Sequence, residues 1–141
     1  MTRSMTRWML AGLIALVAVG VVGAPAQADP PANPFAGSWS GTWSHVEDDD
    51  FGTWDWTISD AGRIKGTGRS IPNNFGVTIV GHVGADGNLA LIAGVPNDVP
   101  AGGSGYPSQG TAVIDGDGKL VVSFSNTWSG GISGVGILER N

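Results

Sequence analysis

The chain has two histidines, His45 and His82, and no cysteine. Covalent hydrolysis needs a nucleophile held against a base, and the base held by a third group. Serines are plentiful, but neither histidine falls in a motif that would assemble such a set. His82 takes the outward parity of its segment and His45 closes another, both ordinary places for a solvated or satisfied ring. Carboxylates cluster in Glu47-Asp48-Asp49-Asp50 and in Asp115-Gly116-Asp117-Gly118. Calcium loops interleave carboxylates with glycine and carbonyl ligands. The first run is contiguous and reads as a solvated connection, the second as turn chemistry. These residues indicate no enzyme, no metal site and no cofactor. Tryptophan remains. Trp39, Trp43, Trp54 and Trp56 stand at even spacings, and Trp128 sits in a glycine-rich turn. Indoles combine large apolar area with a polar N–H. The four could line a pocket for an apolar or aromatic ligand, or simply fill a core, and filling accounts for most of what a small barrel encloses.

The elements that must position these rings are strands. Gly37, Trp39, Gly41 and Trp43 share one parity, and Ser38, Ser40, Thr42 and Ser44 the other, the period of a strand with one wet and one buried face. Similar alternation marks residues 37–46, 53–59, 63–70, 75–83, 88–94, 110–114, 119–125 and 131–140. Three hairpins share a pattern of an Asp/Gly turn, a polar residue and an apolar one: Gly62-Arg63-Ile64, Gly87-Asn88-Leu89 and Gly118-Lys119-Leu120. No segment of the mature chain sustains a helical period, and 24 glycines weigh against helices. Eight short sequential strands leave bare edges unless the sheet closes. The expected fold is therefore all-β, an eight-stranded antiparallel up-and-down meander barrel, with a β-sandwich as the alternative. Gly66/Gly68 and Gly134/Gly136 fall where strands would bend. Residues 95–108 form the longest irregular stretch and contain the only tyrosine, Tyr106. In a closed meander the first and last strands are neighbours, which brings Arg140 to Trp39 with its guanidinium across the indole. On the outward parity, Val80, Ile92, Val113, Val121, Val135 and Ile137 would give an apolar outer wall, an expected homo-oligomer contact.

Gly37-Ser38-Trp39 is similar to the G-x-W that opens the first strand of the calycin superfamily, which includes lipocalins and avidins. Arg140 stands where that superfamily carries an arginine packed over the tryptophan. Gly41-Thr42-Trp43 and Thr127-Trp128-Ser129-Gly130 resemble short streptavidin-type segments. The resemblance implies a closed barrel with one interior ligand site. The ring of polar residues that a biotin site needs is not matched, so no biotin site is carried over.

Residues 1–28 read as a secretory signal peptide. Arg3 and Arg7 precede an uncharged apolar run, and Ala26-Gln27-Ala28 is a small-x-small cleavage site. Cleavage after Ala28 leaves no membrane span and predicts a secreted protein. Residues 29–36 are a Pro-rich leader and residues 37–141 a single barrel domain. Of 7 basic residues, Arg3 and Arg7 are removed, which sets five against 12 acidic ones, a formal charge of −7. That surface disfavours nucleic acid as a partner. The leading expectation is a secreted, non-enzymatic barrel that binds a small apolar or aromatic ligand through Trp39, Trp43, Trp54 and Trp56. The alternative is a solid-cored extracellular or cell-envelope interaction module that contacts a protein or polysaccharide through Trp128, Tyr106 and residues 95–108.

Overall fold

The structure, a computed structural model, describes residues 23–24, 32–94, 106–126 and 131–141. The signal-peptide reading of residues 1–28 and the position of Trp128 lie outside the described residues, apart from Gly23 and Ala24. Alternating sequence becomes eight antiparallel strands: β1 Gly37–His45, β2 Phe51–Ile58, β3 Arg63–Ser70, β4 Phe75–Val83, β5 Asn88–Gly94, β6 Tyr106–Ile114, β7 Leu120–Asn126 and β8 Ser133–Arg140. They close in the order β1 to β8, each beside its neighbour in sequence, with β8 returning to β1. The fold is an up-and-down meander barrel. Among the described residues no helix is long and apolar enough to cross a membrane.

Parity decides burial. On β2, Trp54, Trp56 and Ile58 are buried and Thr53, Asp55 and Thr57 exposed. Three β-hairpins turn the chain in the same way. Gly62, Gly87 and Gly118 have φ of 81°, 85° and 78°, a region that L side chains avoid. Each turn glycine donates its N–H back three residues, to Ser59, Gly84 and Asp115 respectively. A type I turn ended by a left-handed glycine is the usual three-residue hairpin solution. Asp115 Oδ1 also accepts from the Asp117 and Lys119 amides, both at 2.9 Å.

These tight turns gather at one end of the barrel, and that end is sealed. Trp39, Leu120, Leu138, Val83 and Ile64 are at most 1% exposed there. Residues 33–36 belong to the seal, although their composition reads as an extended leader. Phe35 is buried in the core. Asn33 Nδ2 donates to Val83 O at 2.9 Å, and the Trp39 Nε1 donates to Phe35 O at 2.8 Å. Arg140 pairs with Trp39 across the β1–β8 seam and places its guanidinium carbon 4.2 Å from the ring centroid. Its Nη1 donates to Ala36 O at 2.6 Å. A partly exposed cation–π contact is worth about 0.5–2 kcal/mol. Arg140→Ala is therefore expected to lower Tm by several degrees, about 1 kcal/mol in a domain this size. Calorimetry on the variant reads this directly, and an unchanged Tm would show that the seam does not depend on the contact.

Two other features differ from the sequence pattern. Tyr106 is not in a loop: it opens β6 and pairs with Ala93 of β5. Pro107 breaks the alternation on paper, since proline demotes a segment to an edge or a loop, yet it stands opposite Ile92 in a ladder. The outer wall exposes Val80, Ile92, Val113, Val135 and Ile137, while Val121 is half-buried. They fall into two groups. Val80 stands beside Ile92, and Val113 beside Val121 beside Ile137, with Val135 two residues before Ile137 on the same face of β8. Gln109 and Thr111 separate the groups on β6.

Candidate functional site

At the end opposite the seal, where β1, β3, β5 and β7 finish, the described residues form a cup of about 250 Å³. The strand ends supply its wall. Trp43, Trp54, Phe75, Val77, Ile79, Leu91, Ala93 and Phe124 give the apolar surface, with His45, Asp48, Asp50, Ser70, Ser108 and Asn126 above them. Apolar depth with a few convergent polar groups is the usual make-up of a small-molecule site.

The rings are held by one another. Trp54 stacks on Trp56 at 4.6 Å and lies 5.3 Å from Phe124. Trp43 lies 6.1 Å from Trp54 and 4.9 Å from the His45 imidazole. Trp43 Nε1 donates to Thr53 O at 3.2 Å, so its polar atom is already satisfied. The glycines of β8 leave room for these rings. A Cβ on Gly136 would overlap the Trp54 ring edge, and one on Gly134 the Phe124 ring.

The polar groups pair within the rim. Ser70 Oγ donates to Asp50 Oδ1 at 2.5 Å, and Ser108 Oγ to Asn126 Oδ1 at 2.5 Å. His45 Nδ1 lies 2.8 Å from Asp48 Oδ1. The serine and the histidine thus engage different carboxylates. Among the described residues, no group of three or more histidine, aspartate or glutamate side chains is placed to hold a metal.

Backbone amides tune two rim carboxylates. Glu47 accepts from the Ser133 amide at 2.7 Å, and that bond is the main cause holding it below the ordinary glutamate value of 4.5. Asp48 accepts from the Asp50 amide at 2.9 Å and is held below 3.8 by that bond first, with His45 adding to it. A depressed carboxylate contributes order that is full above its unfolded value and lost as pH falls through the lower folded one. The Ser133 and Asp50 amide proton shifts are accordingly expected to stay flat above about pH 5 and to move together with acidification. Amide shifts that do not respond between neutral and strongly acidic pH would show the bonds to be absent.

The six aromatic candidates divide. Trp43 and Trp54 line the cup. Trp39 and Trp56 fill the interior, at 0% and 2% exposure. Tyr106 is placed by its backbone in β6, and Trp128 lies outside the described residues. His45, Ser70, Phe75, Ser108, Phe124 and Asn126 join the site without having been singled out for it. His45 shares the parity of Trp39 and Trp43, and Ser70 that of Ile64, Gly66 and Gly68, so a consistent inward count finds both. Comparison with protein-family models, with curated proteins and with solved structures finds no match.

Proposed function

We propose that this chain is a secreted, non-enzymatic binding protein of calycin-like type that holds a small apolar or aromatic ligand in the open end of its barrel. The cup carries the reading: an apolar hollow of about 250 Å³ walled by Trp43, Trp54 and Phe124. A core packed solid to both ends would favour the interaction-module alternative instead. Gly37-Ser38-Trp39 and Arg140 at the seam support the calycin likeness, and residues 1–28 support export. The volume suits a ligand of one or two rings, since drug-sized pockets run from about 300 to 1,000 Å³.

Two wall residues are tryptophans, so a ligand seated between them changes their emission. Titration with a panel of one- and two-ring compounds should quench or shift the fluorescence saturably. Ala93→Phe, which fills the cup from β5, should abolish the change while leaving the barrel folded. A panel without a single saturable response would end this reading.

The outer wall supports a second one, self-association through Val113, Val121 and Ile137. Sedimentation should then show a species larger than the monomer, and Val121→Lys should dissociate it. A monomer at high concentration would remove it.

A further inference from the structure

We propose that the ligand is an organic cation, an apolar ring body bearing an amine or quaternary ammonium group, held ring-down with its charge at the rim. This rests on the reading of the cup as a ligand site and adds the sign of the charge.

The ionisable side chains lining the cup are His45, Asp48 and Asp50, and no lysine or arginine is among them in the described residues. The described connections at this end carry the same bias: residues 46–50 and 71–74 contain Glu47, Asp48, Asp49 and Asp50, and neither lysine nor arginine. Of the barrel's basic residues, Arg63, Lys119 and Arg140 stand at the sealed end and Lys65 faces outward on β3. Arg69 stands at the open end of β3 but faces outward, where it donates to Asn74.

A carboxylate ligand entering ring-first would therefore leave its charge among like charges without a cationic partner. An ammonium would meet opposite charge in that place. Clefts lined by one sign of charge focus the field and concentrate the oppositely charged ligand. The pairing of Asp50 with Ser70 and of Asp48 with His45 leaves each carboxylate with further acceptor capacity, as a carboxylate has about four lone-pair sites.

Three probes with one phenylpropyl skeleton test the charge: 3-phenylpropan-1-amine, 3-phenylpropan-1-ol and 3-phenylpropanoate, each titrated calorimetrically into the barrel at pH 7 and low salt. The amine is expected to bind at least about tenfold more tightly than the carboxylate, with the alcohol between them. Raising the salt from about 0.05 to 0.5 M should narrow that ratio, because exposed charges are screened. In the Asp48→Asn/Asp50→Asn double variant the ratio should fall below about threefold, with near-UV circular dichroism of the tryptophans confirming the fold. If the alcohol binds while amine and carboxylate are equal, the charge assignment is overturned and the apolar-ligand reading survives. If none of the three binds, both fall.

Discussion

Trp39→Ala is expected to remove about 3–5 kcal/mol of stability, the cost of deleting a large buried aromatic side chain. Small domains have only about 5–15 kcal/mol in total, so much of the variant should unfold at moderate temperature. Three losses coincide at this residue. The ring is fully buried at the sealed end. Its N–H satisfies the carbonyl of Phe35, itself a core residue, and its face carries the Arg140 guanidinium. Trp56 makes the comparison informative. It is almost as buried, yet its Nε1 has no hydrogen-bond partner among the described residues. Phenylalanine at position 56 removes an unsatisfied polar atom, whereas at position 39 it orphans a buried carbonyl. Trp39→Phe should therefore cost more than Trp56→Phe, by about 1–3 kcal/mol, the penalty for one buried unpaired group. Denaturant titration of both variants measures the difference. Equal costs would mean that the Trp39 bond to Phe35 contributes nothing net.

Gly136→Ala is expected to damage the site and the fold together. The added methyl would overlap the Trp54 ring edge, and Trp54 is hemmed in by Trp43, Trp56 and Phe124. The ring must yield into the cup or the strand must shift. Overpacking of this kind costs about 1–3 kcal/mol. Ligand-induced fluorescence change should be lost even under conditions where the barrel remains folded. Gly116→Ala is the control. A Cβ there meets nothing within 4 Å, and Gly116 is not among the glycines of positive φ, so that change should be near neutral. A Gly136→Ala protein with normal stability and normal ligand response would show that the β8 glycines do not make room for the rings.

Parity alone carries most of the architecture. Alternation in Gly37–His45 and Phe51–Ile58 places the four indoles inside, and the repeated Asp/Gly turns set up sequential hairpins. Closure then follows from the count of strands and the absence of any other cover for their edges. Parity fixes the face of a residue but not its height along the barrel. It cannot say that Trp39 and Trp56 pack the sealed interior while Trp43 and Trp54 border a hollow. That division depends on strand stagger, a property of the closed sheet. Phe35 is hidden for a similar reason: one apolar residue after prolines has no periodicity to reveal it, and only the base of the barrel, which it helps to seal, gives it a place. Pro107 conceals the first turn of pairing in β6. The glycines of β8 were legible as special, but a bend and a seat for a neighbouring ring leave the same mark in a sequence.

The seam between β1 and β8 also constrains how the chain reaches its final form. The contact that seals it joins Arg140 to Ala36, positions 104 apart. Synthesis runs from β1 toward β8, so seven strands emerge before the one that shuts the ring. Until then the sheet keeps two unpaired margins, on β1 and β7, and such margins recruit other strands. Contacts between distant parts of a chain also form slowly. Two chains at this stage could trade final strands, each closing the other's barrel. A chain truncated before Ser133 would keep the open margins permanently, with its aromatic interior turned toward whatever strand is nearest.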